Sequence, residues 1–296
     1  KTDDKTAIFI TFQGKSYGCS PKAIYEYMLN SEEYKDWTFI WLFKKPKDFP
    51  EVAANPNTKV YKYNRNNLHK YLPVAKYWIS NYRFPQYIWP RKSQVYVQCW
   101  HGTPLKRLGH DLTTSENALN TMDEIYRLYD LDALKFDYMI SPSRYASERF
   151  ISAWGLDTKH MENKMLEIGY PRNDFLSNHT EEDVRNIKER LGIPLDKKVI
   201  LYAPTWRDNQ RGEDGFTYDL NMNFDKLRED LGDEYVLVFR LHYLVANAFS
   251  FEDYEGFIYD ASSYGDINHL YVIADLLVTD YSSVFFDYGT LKKPMM

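Results

Sequence analysis

The 296-residue chain has few of the features that mark secreted, fibrous or membrane-spanning proteins. It has two cysteines, Cys19 and Cys99, too few for a disulfide framework or a four-cysteine zinc site. Such a pair suits a reducing compartment. Glycine and proline stand at 13 each, which excludes collagen-like and low-complexity readings. No apolar run approaches the roughly 18 residues that a membrane-spanning helix needs. The opening KTDDKTAIF carries no signal-peptide pattern. Zinc-ligand spacings, a P-loop, G-x-G-x-x-G and G-x-S-x-G are all missing. Hydrophobic residues at 44% and charged residues at 27% describe a globular chain. The expectation is a soluble intracellular protein, or a fragment of one, with two domains of about 150 residues each.

Acid is locally missing too. Between Glu51 and Asp111 there is no Asp or Glu but ten Lys and Arg, in a chain whose net charge is −5. A basic segment inside an acidic chain points to an anionic partner: nucleic acid, anionic lipid or a phosphorylated polymer. The plainer alternative is a solvated surface whose acids lie nearby in the fold. Aromatics make up 17% of the chain, with 26 Tyr, and many cluster in the same stretch, including Tyr71, Tyr77, Trp78, Tyr82, Tyr87 and Trp89. Tyr and Trp suit sugar sites, membrane interfaces and single-stranded nucleic acid alike, so composition does not choose among these.

Short β-type runs alternate with helical patterns. TAIFITF (6–12), WTFIWLF (37–43), KVYKY (59–63), YWIS (77–80), QVYVQCW (94–100) and FDYMIS (137–142) read as strands, and KMLEIGYP (164–171) ends this half at Pro171. Pro21 is expected to open a helix and Ser115 to cap another over 115–129. A second series follows: helix 180–192 between Thr180 and Gly192, strand 197–206, helix FDKLREDLG, strand 235–242, short strand GFIYDAS, helix INHLYVIA, strand 275–280, then a helix from Ser282. Such alternation predicts parallel sheets with crossover helices. The domain boundary is expected near Tyr170–Asn178, giving domains 1–172 and 173–296. LKKPMM at the end reads as the entry into another strand, which predicts a second sheet cut short of its last elements.

Ligands of open parallel sheets sit beyond the carboxyl ends of the strands, so those ends carry the chemistry. QCWHGTPLKRLGHD (98–111) stops a buried strand at Trp100 and places His101 in a turn with Gly102 and Thr103, followed by Lys106 and Arg107. Histidine there suits a general base, its ordinary pKa being near 6.5. The alternative is a histidine that fixes the turn. In YAPTWR (202–207), Thr205 and Arg207 are placed to reach a phosphate. In FRLH (239–242), Arg240 and His242 share one face of a strand end. In VTDYSSVFFDYG (278–289), Ser282 and Ser283 stand at a helix N-terminus, a site for phosphate or for plain capping. Asp280 is expected to order the loop or take a hydroxyl.

These motifs, with SNYRFP (80–85) and FITFQGKSYGCSPKAIYEYM (9–28), resemble the CDP-glycerol glycerophosphotransferase family of teichoic acid and capsule synthesis. WHGTPLK and TDYSS together carry the likeness, which extends over essentially the whole chain. The resemblance implies an α/β GT-B-like fold, two Rossmann-type domains with parallel sheets facing a central cleft. It implies a CDP-glycerol or CDP-ribitol donor, CMP as the leaving product and no cofactor. It also implies a lipid-linked polyanionic acceptor polymer, and hence a place at the cytoplasmic face of a bacterial membrane. Nucleic acid is not an expected partner, and nothing in the sequence argues for a metal. His101 and His242 would be catalytic, with His101 the base. Thr205, Arg207, Arg240, Ser282 and Ser283 would bind donor phosphates, with Asp280 in the same donor site. Gly102, Thr103, Lys106, Arg107, Lys70, Lys76 and Arg83 would face the acceptor. Family members commonly have Pro after the histidine of R-x-H, where this chain has Tyr243. They also run past its last residue, and many carry a further region before the first. The alternatives are a sugar-nucleotide glycosyltransferase on the same fold and a non-catalytic polyanion- or RNA-binding module.

Overall fold

Side-chain alternation along two apolar strands builds both cores of the first half. β1 (Asp3–Ile10) and β2 (Thr38–Phe43) are apolar almost throughout their inner lengths, the pattern of parallel strands covered on both faces. Ile8, Ile10, Ile40 and Leu42 enter one core with Trp78, Tyr96 and Phe150. Ala7, Phe9, Phe39, Trp41 and Phe43 enter the opposite one with Tyr25 and Ile79. Even and odd positions therefore face opposite sides, as the period of two requires. Adding β3 (Thr58–Lys62), β4 (Ala75–Ser80), β5 (Val95–Gln98), β6 (Tyr138–Ser141) and β7 (Met165–Glu167) completes a sheet of order β3-β2-β1-β4-β5-β6-β7. All its pairings are parallel. The crossover segments carry α1 (Cys19–Leu29), α2 (Pro50–Ala53), α3 (Arg65–Tyr71), α4 (Met122–Lys135) and α5 (Arg144–Ala153).

The computed structural model describes residues 1–114, 120–204, 211–212, 215–216, 222–241 and 251–296, and divides into two units, Lys1–Asp174 and Phe175–Met296. A short helix, α6 (Asp174–Asn178), spans the division, and α7 (Glu181–Leu191) follows. The second unit repeats the logic on a smaller scale. β8 (Lys198–Ala203) is followed by a two-residue antiparallel pair, β9 (Arg211–Gly212) and β10 (Gly215–Phe216). Then come α8 (Phe224–Leu231), β11 (Tyr235–Phe239), β12 (Ile258–Asp260), α9 (Ile267–Ile273), β13 (Leu276–Thr279) and α10 (Val284–Tyr288). Its parallel sheet runs β12-β11-β8-β13. Val199, Leu201, Val236 and Val238 face one core, and Ile200, Leu237, Phe239 and Ile258 the other. Met295 forms an isolated parallel bridge to Leu277, beside β13.

Local signals hold at α7, where Thr180 and Asp183 close a reciprocal capping box and Gly192 ends the helix in the left-handed region. Two details differ from the sequence reading. The described part of the helix expected over 115–129 begins at Met122, capped by Thr121 with Glu124 in a capping box; Ser115 lies outside the described residues. Helix α1 begins at Cys19, so Pro21 is its third residue, still within the first turn where an amide N–H has no intrahelical partner. Helix α3, capped by Asn64 accepting from the Asn67 amide, has no counterpart in the sequence reading. Among the described residues no helix is long and apolar enough to cross a membrane.

Candidate active site

Both sheets reverse strand order next to the first strand of the unit, between β1 and β4 and between β8 and β13. Such a reversal opens a crevice at the carboxyl ends, where ligands of open α/β sheets bind. The described parts of the motif segments lie at carboxyl ends of strands.

In the first unit, β1 runs into a tight turn in which Phe12 and Gln13 have φ of 45° and 56°. Gly14 follows at φ 78°, where a Cβ would come within 2.8 Å of the Leu42 carbonyl oxygen and of the Tyr63 Cβ, so only glycine fits. The Phe12 amide donates to Asn81 Oδ1 at 2.8 Å, and Asn81, fully buried, follows β4 directly. Its backbone carbonyl accepts from His101 Nδ1 at 2.9 Å. A carbonyl cannot donate, so Nδ1 carries the proton and the neutral ring presents its lone pair on Nε2. The ring lies against Trp100 (4.2 Å between centroids), Phe12 (5.5 Å) and Tyr82 (6.1 Å).

Trp100 has φ +46°, costly for a bulky residue, and its amide donates to Gln98 Oε1 at 3.0 Å. This kink ends β5 and turns His101 back over Asn81. Burial pushes the His101 pKa down to about 4, with the Arg172 and Arg83 charges adding to that and the Asn81 carbonyl opposing it. At neutral pH the ring is therefore uncharged, with a free lone pair held in one tautomer. That is the resting state of a general base.

The loop after His101 is pinned at its far end. Gly109 has φ +49°, and a Cβ there would fall 2.1 Å from the Ala153 carbonyl oxygen. Thr103 and Gly102 are buried. Lys106 and Arg107 are exposed and border a cavity of about 440 Å³.

The other predicted acceptor residues do not gather here. Lys76 stands near the start of β4 and pairs with Asp4 at 2.8 Å. Ser80, at the other end of β4, is the residue paired with Gln98, so Lys76 sits about 13 Å from the His101 end of the sheet. Lys70 lies in the last turn of α3, which leads into that same starting edge, with its Nζ 5.1 Å from the Tyr71 ring. Arg83 is turned inward: its guanidinium lies 4.5 Å from the Tyr129 ring, and its charge helps offset Asp132. Burial lifts Asp132 to about 6, while Trp154 Nε1 donates to its Oδ2 at 2.9 Å. The unbroken basic stretch is thus divided by the strands it contains. Part of it lies in the His101 loop, part supports the core, and part faces the opposite edge.

Two residues that the sequence reading passed over belong to this end. Asn81 orients His101, and its only signal was its place in SNYRFP. Arg172 is buried, lies 4.3 Å over the Tyr170 ring, places Nη1 3.3 Å from Cys19 Sγ, and depresses the His101 pKa. Its signal was a cation directly after GYP.

In the second unit, Thr279 Oγ1 donates to the Ala203 carbonyl at 2.6 Å and ties the ends of β13 and β8 together. The Asp280 carbonyl accepts from the Ser282 amide at 2.8 Å, a tight turn that delivers Ser282 and Ser283 to the start of α10. Ser283 makes no side-chain capping bond, so plain capping does not account for its hydroxyl. Arg240 follows β11, and its Nη1 donates to the carbonyls of Ala261 (2.7 Å), Ser262 (3.0 Å) and Tyr264. It braces the turn after β12. Thr205, Arg207 and His242 lie outside the described residues.

The model of the family described as CDP-Glycerol:Poly(glycerophosphate) glycerophosphotransferase matches residues 1–296. The chain belongs to this family. It is 43% identical over 293 residues to a teichoic acid poly(glycerol phosphate) polymerase of Staphylococcus epidermidis, covering 98% of this chain and 39% of that protein. It is 44% identical over 297 residues to the teichoic acid poly(glycerol phosphate) polymerase of Bacillus subtilis, covering 99% of this chain and 38% of that one. The chain therefore spans about two fifths of the length of these relatives. Among solved structures, the wall teichoic acid polymerase TagF superimposes with a TM-score of 0.90 at 41% identity, over 99% of this chain and 70% of that one.

Proposed function

We propose that this chain transfers glycerol phosphate from CDP-glycerol to a terminal hydroxyl of a teichoic acid or related capsule polymer and releases CMP. CDP-ribitol is the corresponding alternative donor. The two units act as the Rossmann-type halves of a GT-B-like enzyme, the first facing the acceptor (1–172) and the second the donor (173–296). The acceptor hydroxyl oxygen attacks the phosphorus next to glycerol. That P–O bond forms as the bond to the CMP oxygen breaks, with inversion at phosphorus, and His101 Nε2 takes the hydroxyl proton. The anionic diphosphate, once bound, lowers the cost of the imidazolium that forms. Arg240, Ser282 and Ser283, with Thr205, Arg207 and His242, neutralise the donor phosphates, and Asp280 orders their loop. Gly102, Thr103, Lys106 and Arg107 face the acceptor. Charge stabilisation and positioning supply most of the acceleration, as in other phosphoryl transfers. The polymer is lipid-linked, which places the enzyme peripherally at the cytoplasmic face of the membrane.

The observation that carries this reading is the His101 tautomer, fixed by the Asn81 carbonyl at the crevice of a family member. The glycerol donor is favoured because the relatives above are poly(glycerol phosphate) polymerases by name. A variant of TagF, 42% identical to this chain, has been solved with CDPG from a 15 minute soak. The test is a donor panel of CDP-glycerol, CDP-ribitol and UDP-sugars with one short defined acceptor. CMP release from CDP-glycerol is expected. UDP release instead would make the chain a glycosyltransferase.

A further inference from the structure

We infer that the cavity between the His101 loop and α5 is a subsite for a glycerol-phosphate diester of the acceptor chain, one repeat back from the reacting hydroxyl. The inference rests on the transferase reading and adds to it the residues that set acceptor register, above all Arg149.

The cavity, about 440 Å³, takes Lys106 and Arg107 from the loop, Tyr145 and Arg149 from α5, and Asp111 from the turn beyond. Tyr145 and Arg149 are four apart and so share one helix face. The Tyr145 hydroxyl donates to the Pro104 carbonyl at 3.1 Å, which fixes the loop to the helix. The Arg149 guanidinium lies 5.6 Å from the same ring. Among the described residues, none of Lys106, Arg107 and Arg149 has a carboxylate partner. One turn earlier on α5, by contrast, Arg144 pairs with Glu148 at 3.2 Å. Three cationic side chains and one carboxylate, Asp111, line this concave space, a net charge of +2 that suits an anion, and guanidinium forks match phosphate oxygens.

Asp111 narrows the ligand class. Its carboxylate accepts from the Ser152 hydroxyl and also lines the cavity. It has acceptor capacity for a polyol hydroxyl, and it repels the second charge of a phosphate monoester. A singly charged diester joined to a polyol satisfies both walls. Pro104 is three residues from His101, so the two are no more than about 11 Å apart along the chain. A polymer seated by one phosphate in the cavity thus has its end within reach of His101 Nε2.

The test is a titration of the whole chain with a synthetic glycerol-phosphate oligomer of a few repeats. Inorganic phosphate and phosphatidylglycerol vesicles are run in parallel. Arg149→Gln is expected to weaken oligomer binding about tenfold, the loss of one charge-assisted contact. Arg144→Gln, on the same helix but paired away from the cavity, is expected to bind as the parent does. Rising salt should narrow the gap between Arg149→Gln and the parent. Unchanged oligomer affinity in Arg149→Gln overturns the inference. Displacement of the oligomer by equimolar inorganic phosphate overturns the diester assignment. If the variant loses vesicle binding but keeps the oligomer, the cavity faces lipid and the inference is wrong. If the parent releases no CMP from CDP-glycerol yet Arg149→Gln still loses the oligomer, the transferase reading fails while the subsite stands.

Discussion

In the first unit, the crevice beside β1 is crowded with rings and strained backbone. In the second, the described residues at the crevice beside β8 include the hydroxyl side chains of Thr279, Ser282 and Ser283 and the tied Ala203 carbonyl. Four of the non-glycine residues with positive φ, Phe12, Gln13, Cys19 and Trp100, belong to the segments that end at His101 or touch them. Each costs on the order of 1–3 kcal/mol, which the surrounding core must hold in place. In the second unit, among the described residues, Lys292 alone has such a φ. A general base must be kept in one tautomer and orientation, and that requires rigid, buried surroundings. An anion needs donors and positive charge, which short turns and a braced arginine supply without strain. The shared strand order sets the place of each crevice, and the side chains at the strand ends set its task.

If that division holds, replacing His101 should damage chemistry and leave donor affinity alone. His101→Ala is expected to lower turnover by about 100-fold or more, the usual contribution of a general base. CMP affinity by calorimetry should stay within about twofold, while the melting temperature should fall modestly, because the ring's packing on Trp100 and Phe12 and its hydrogen bond to the Asn81 carbonyl are lost. Near-normal turnover would reduce His101 to a turn residue and break the comparison at its root.

The same buried ring should leave a mark on stability against pH. An unfolded histidine titrates near 6.5, and burial brings His101 down to about 4 in the folded chain. Between these values the unfolded state binds more protons, so this contribution to stability is complete above about pH 6.5 and is lost as pH falls toward 4. The loss is at most about 3 kcal/mol. Urea unfolding from pH 7.5 to 4.5 should show it in the parent chain and not in His101→Gln. Parallel pH curves for the two would mean that the ring is not desolvated.

Much of the architecture was legible because parallel strands buried on both faces read as apolar runs, as β1 and β2 do, whereas the edge strand β3 is nowhere buried and was legible from the β-type run KVYKY. The position of the His101 turn was legible because a histidine stood directly after a β-type run. What was not legible is whatever depends on which end of a strand a residue occupies and which way it points. Lys76 and His101 belong to one acid-free stretch, yet β4 puts Lys76 at the far edge beside Asp4, from a distant part of the sequence. Arg83 looked like a surface cation because nothing in SNYRFP announces Tyr129 and Asp132, which come from a helix some fifty residues later. Asn81 acts largely through its backbone carbonyl, a group every residue has.

In the second unit, Ser282→Ala combined with Ser283→Ala should do the reverse of His101→Ala. Donor and CMP affinity should fall several-fold, about 1 kcal/mol, because backbone N–H groups remain at the turn. Turnover at saturating donor should change little. Unchanged affinity would leave the two serines as turn residues and shift the donor site toward Arg240 and the adjoining segments.

The smallest expected effect comes from the basic stretch itself. Lys70 and Lys76 lie toward the starting edge of the first sheet, and Lys76 is already neutralised by Asp4. Exposed charges are screened beyond about 8 Å at physiological ionic strength, and the length of β4 separates Lys76 from the His101 end. Changing both to Gln should therefore leave KM for a long soluble acceptor within about twofold of the parent at 0.15 M salt. At 0.01 M salt, where exposed charges are felt out to about 30 Å, a modest rise is expected. A large rise at physiological salt would mean that the polymer wraps round the sheet from its carboxyl ends to its far edge. The acceptor surface would then extend beyond the crevice, and the contrast between the two units would concern the reacting end of the polymer alone.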